Sequence, residues 1–239
     1  MIDGILFLLL ASLAFVVSSA LHEFGHILAG LAQGFEFQWF VAGPIGLRRT
    51  DDGEVRFYLE RNASLWGGLG ATVPREAHGD NYRKFARVLL GGPLTSVALG
   101  ALSLALGSAS GLMFLTLVGA MSLGMGLVSL IPTRNGAFYT DGGRWLRMQR
   151  NGVHRREEIA LWNLTQLVIL EGTHKQASLD DVKVLTDSSD ARTRYLGYYY
   201  AFCHYRDNDD TFGMEQARVA LRGLGGQVPR QMLAMFNVD

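Results

Sequence analysis

Apolar residues run almost unbroken from about Gly4 to Ala32, interrupted only by the polar side chains of the stretch His22 to His26. A second apolar stretch, Val88 to Thr133, continues for 46 residues without a charged side chain. One membrane helix needs roughly 20 residues, so this stretch holds two. They divide at Gly107-Ser-Ala-Ser-Gly111, which predicts spans near 88–106 and 112–131. Between the first and second spans the pattern changes. In the loop 35–74 apolar positions alternate, with Phe35, Phe37 and Trp39 on one face and Val55, Phe57 and Leu59 together. Thr50-Asp-Asp-Gly53 is a turn signal between them, which predicts a short β-hairpin at the inner membrane surface. The residues leading into Val88 predict a short amphipathic segment.

After Arg150 the periodicity is helical. Arg156–Gly172 reads as one helix, and Ser178 is a plausible N-cap for the next. Asp190–Asp207 and Gly213–Gly225 suit an antiparallel pair, faintly like a tetratricopeptide unit, although one pair is little ground for a repeat. The pattern therefore predicts a mainly α membrane protein. Residues 1–150 form a three-span core with its β-hairpin, and residues 151–239 form a small soluble helical domain.

Composition sharpens this division. Basic and acidic residues balance at 22 each, which gives no case for a nucleic-acid partner. Ten basic and twelve acidic residues lie after Arg150, against none between Val88 and Thr133. The N-terminus has the small residues of a signal-peptide cleavage site at Ser18 and Ala20. It lacks the basic start such a peptide needs, and its apolar run continues past the site, so an uncleaved helix is expected. The loop between the first two spans holds eight arginines and lysines, and Arg134, Arg144, Arg147 and Arg150 follow the third. Positive charge favours the cytoplasmic side. The N-terminus is thus expected outside and residues 151–239 in the cytoplasm, in a prokaryotic plasma membrane. The single cysteine, Cys203, excludes an internal disulfide and a cysteine metal cluster, and reads as a small core residue.

The candidate chemistry lies in the first span. His22 and His26 are four residues apart and share a helix face, so both can direct a ring nitrogen at one metal ion. Glu23 can flank that ion as a general base. Two imidazoles plus a carboxylate suit one zinc ion per chain, with a fourth position left for water. The alternative is a pair of packed histidines and a surface glutamate. Against it, an ionisable residue at membrane depth costs about 2.5–3.5 kcal/mol or more and needs a compensating partner. A third ligand is still required. Asp141 is the acidic residue nearest the end of an apolar span, and two glycines follow it; spacing alone fits a ligand and an Asp-Gly turn equally. Gly92, Pro93 and Ser96 open the second span. They read equally as a substrate or oxyanion contact and as a kink with small packing residues.

His22-Glu-Phe-Gly-His26 in the first core span, Gly92-Pro93 opening the next and Asp141-Gly-Gly-Arg144 after the third together resemble the site-2 proteases, intramembrane zinc metalloproteases. The resemblance covers about residues 4–146. It implies His22 and His26 as zinc ligands, Glu23 as general base, Asp141 as third ligand, and a membrane-protein substrate held on membrane-associated strands. Three departures stand out. Ser96 and Ser129 occupy places where that family commonly has asparagine, and the link from Pro132 to Asp141 is longer than usual. Asn135 in that link could supply the missing amide or serve a turn. A non-catalytic membrane scaffold or sensor, with a structural or degenerate metal site, is the main rival. In either case a regulatory partner could bind residues 151–239. A soluble zincin with apolar core helices is a further rival, and the long charge-free run speaks against it.

Overall fold

The computed structural model describes residues 2–50, 52–75, 80–236 and 238. Contacts divide the chain into two units, 1–132 and 133–239. The first comprises α1 (Ile2–Ala32), four strands, α2 (Asn81–Ser110) and α3 (Met113–Leu130). All three helices are long and apolar enough to cross a membrane. Their burial is inverted relative to a water-soluble helix. On α1, Leu8, Leu9 and Leu13 are exposed, whereas Ser18, Ser19, His22 and His26 are buried. Apolar side chains facing outward with polar ones turned inward is the pattern expected in lipid.

The spans depart from the sequence reading in their ends. α2 begins at Asn81, seven residues before the first position of the charge-free run, and continues through Ser108–Ser110. Gly111 stops it in the left-handed region at φ 70°, as a helix C-terminus commonly requires. Glycine also decides how the helices meet. A Cβ at Gly25 would lie 2.5 Å from the Gly91 carbonyl oxygen, and one at Gly91 would collide with the Gly25 carbonyl. α1 and α2 therefore cross backbone to backbone at these two residues, small-residue packing that membrane helices favour.

The segment after α1 is a four-stranded antiparallel sheet and not a single hairpin. Its strands are β1 (Phe35–Ala42), β2 (Ile45–Arg49), β3 (Val55–Leu59) and β4 (Leu69–Pro74), in the order β3-β2-β1-β4. Nor does it rest at one end of the helix. Gly30 packs on Thr72, Ser19 Oγ donates to the Gly67 carbonyl at 2.7 Å, and Gly43 abuts Val16. The sheet thus lies alongside α1 from Gly30 back to Val16, about 21 Å of helix at 1.5 Å per residue. A bulge between Phe37 and Trp39 breaks the alternation on β1. Phe37 consequently shares an apolar pocket with Phe40, Leu47 and Phe24, while the Trp39 indole donates to the Tyr58 hydroxyl. The expected common face of Phe35, Phe37 and Trp39 is broken there.

The second unit starts with a small hairpin, β5 (Arg134–Asn135) and β6 (Phe138–Tyr139), whose tight loop is led by Gly136 at φ 60°. Then follow α4 (Asp141–Gln149), α5 (Val153–Glu171), α6 (Leu179–Thr186), α7 (Ala191–Asp207), α8 (Thr211–Leu224) and α9 (Arg230–Met235). Leu164, Leu185, Leu196, Cys203, Leu221 and Met232 form its core. Ser178 caps α6 by accepting from the Asp181 amide, and Asp190 caps α7 by accepting from Thr193. The unit boundary at Pro132 precedes the expected one at 150, because Arg144 and Arg147 of α4 pair with Glu158 of α5, and Arg147 also pairs with Glu157.

Gly25→Val drives a side chain into the α2 backbone and should destabilise the membrane unit by about 1–3 kcal/mol. Gly124→Ala, with nothing within 4 Å of its Cβ, should hold or slightly raise the denaturation midpoint. In the helical unit, burial would raise the Asp207 carboxyl, but the His174 amide, Arg206 and the Thr173 hydroxyl outweigh it and hold it at about 2. A depressed carboxyl stabilises above its unfolded value, and that stability is lost as pH falls through the folded value. Asp207→Asn should therefore cost roughly 1–2 kcal/mol at pH 7, a difference that vanishes towards pH 2 in denaturant melts.

Candidate metal centre

α1 brings His22 and His26 onto one buried face, with ring centroids 5.0 Å apart and planes at 80°. Each ring is held through Nδ1. His26 Nδ1 lies 2.8 Å from the Val88 carbonyl oxygen, and the Gly92 amide approaches the same nitrogen at 3.3 Å. One nitrogen cannot serve both as donor and acceptor. The shorter contact, to a carbonyl that can only accept, assigns the proton to Nδ1 and makes Nε2 the unprotonated nitrogen. His22 Nδ1 meets the Ser96 hydroxyl at 2.9 Å, and its Nε2 lies 3.5 Å from Ser129 Oγ. A hydrogen-bonded Nδ1 that fixes the ring and presents Nε2 is the usual arrangement of a metal-ligating histidine. The donor chemistry therefore fits zinc.

Gly92 and Pro93 act on this arrangement from below. A Cβ at Gly92 would overlap His26 Nε2, so glycine admits the ring against the α2 backbone. Pro93 is fully buried within α2 and leaves the helix one amide short. Ser96 is also fully buried, with its hydroxyl on His22. Gly92 and Ser96, for which the sequence leaves a substrate contact and a small-residue kink equally open, meet the histidines. The Asn135 side chain lies outside the described residues.

Glu23 sits on the adjoining face of α1, against the chain entering β4. A Cβ at Gly68 would fall 2.6 Å from Glu23 Oε1 and 2.6 Å from Ser19 Oγ, and one at Gly70 would fall 3.0 Å from Glu23 Oε2. Gly68 is further restricted to glycine by its φ of 116°. The carboxylate thus rests on strand backbone, at the edge of the sheet. Sequence reading missed Gly68, Gly70 and Val88. The doubled glycines after Trp66 were the available signal, whereas a backbone carbonyl leaves none.

Asp141 belongs to the second unit, as the first residue of α4. Thr140 caps that helix, accepting from the Gly143 amide at 3.3 Å, and its own amide donates to the Thr133 carbonyl at 3.0 Å. A carboxylate in a first helical turn is favourable on its own account.

No family model matches this sequence, and neither a curated protein nor a solved structure matches it. Ser96→Ala removes the Nδ1 partner of His22, so a zinc ion held by that ring would bind about tenfold or more weakly, measured by chelator competition on the purified protein.

Proposed function

We propose that this chain is an intramembrane zinc endopeptidase that cleaves transmembrane or membrane-adjacent segments of other proteins. The observation that carries the reading is the pair of buried histidines on a membrane-length helix, each held by Nδ1, with Glu23 beside them. His22, His26 and Asp141 would hold the ion. Chain length supports Asp141: only Ile131 and Pro132 separate the end of α3 from Thr133, and the Thr133–Thr140 bond closes the rest of the link. When bound, zinc supplies Lewis acidity and a water that ionises near neutral pH.

Glu23 would take the proton from the attacking water and return it to the leaving amine. A substrate span must unwind first, because its helical carbonyls and amides are already paired. Strand β4 lies last in the sheet order and begins beside Glu23, where an extended segment would add as a further strand. Ser96, which holds His22, is a ligand-orienting residue in this reading. The arginine-rich loops support an N-terminus outside and a cytoplasmic helical unit, in a prokaryotic inner membrane.

Glu23→Gln should retain zinc and lose cleavage of a co-expressed membrane substrate by a factor of at least 10². Substrates are found by comparing membrane proteomes of cells carrying wild type and variant. Full cleavage by the variant would overturn the proposal.

A further inference from the structure

The short segment carrying Asp141 is bonded throughout to the helical unit. In the hairpin, the Arg134 guanidinium donates to the Ala137 carbonyl at 2.8 Å and pairs with Asp190 at the start of α7. Arg192 Nη1 donates to the Gly136 carbonyl at 3.1 Å. The Tyr139 ring lies against both the Arg134 and the Arg147 guanidinium groups, at 4.8 and 4.3 Å. α4 is fixed more firmly still. Arg147 donates through Nε to Glu158 at 2.8 Å and through Nη2 to Glu157 at 2.6 Å. Arg144 Nε reaches the second Glu158 oxygen at 3.1 Å, and Ser188 Oγ donates to Glu157 at 2.6 Å.

The Glu157 and Glu158 side chains are only 5% and 3% exposed. Buried charges of this kind tolerate little displacement, since a lost partner leaves an uncompensated ion. Arg144 and Arg147 lie within two turns of Asp141 on a nine-residue helix. The direction of the Asp141 carboxylate is therefore coupled to the paired charges.

We propose that Arg147 and Glu158 are positioning residues for Asp141, through which the helical unit sets the affinity of the metal centre. This rests on the reading of Asp141 as a zinc ligand. The test is a double-mutant cycle on the full chain, with zinc affinity read by chelator competition and folding by thermal melting. Glu158→Gln keeps the shape and removes the charge. It should weaken zinc about tenfold in an otherwise wild-type chain and less than twofold in the Asp141→Ala background. Arg147→Lys, which keeps the charge and loses the fork, gives the same readout should Glu158→Gln fail to fold. Equal losses in both backgrounds, or unchanged affinity in the folded variant, would overturn the coupling alone. A wild-type chain that binds no zinc, or an Asp141→Ala chain with unchanged affinity, would overturn the ligand reading and the coupling with it.

Discussion

The approach of α1 to α2 at Gly25 and Gly91 is the constraint on which the membrane unit depends. Two helices whose backbones touch leave no room for water or lipid between them. The histidines on either side of Gly25 are then desolvated and must find partners on α2. Val88 and Ser96 stand a little over two turns apart on that helix and supply them, one through its backbone and one through its hydroxyl. Desolvated polar groups are costly without partners, so the same crossing that buries the imidazoles fixes their orientation. Gly92 and Pro93 extend this logic. One lets a ring sit against the helix, and the other thins the hydrogen-bond ladder beside it.

The sheet solves a related problem. Backbone that is neither helical nor paired is not tolerated in hydrocarbon unless protein or a watery cavity covers it. Pairing β1 on both sides satisfies the centre of the sheet, and the glycines at 68 and 70 bring the chain entering β4, and its first residues, close against α1. The outer apolar residues Val55, Phe57 and Leu59 on β3 are more than half exposed. Their exposure matches that of the leucines on α1.

The sequence carried the helices well because length and hydropathy are properties of whole segments. The start of α2 was hidden because Arg83, Lys84 and Arg87 occupy its first turns, and an apolar count stops at the last of them. The spacing of His22, Glu23 and His26 was readable because a helix turns four residues into one face. β4 was not, because Leu69–Pro74 is short, glycine-bearing and ends in proline, with no alternation to mark it. The bulge at Gln38 could not be read from β1 alone, since it exists only against a partner strand. The unit boundary was misplaced for a similar reason. Arg144 and Arg147 look like residues flanking a span, and only the folded chain pairs them with Glu157 and Glu158.

That pairing has a consequence for how the chain can be shortened or recombined. A cut at 150, the natural place from composition, would leave α4 attached to the membrane part and deprive its arginines of both carboxylates. It would also strip the Tyr139 hairpin of Asp190 and Arg192. The helical unit is therefore not an appendage that can be deleted or exchanged at its apparent border. Any exchange that preserves both parts must be made at Pro132, and it carries the aspartate with it.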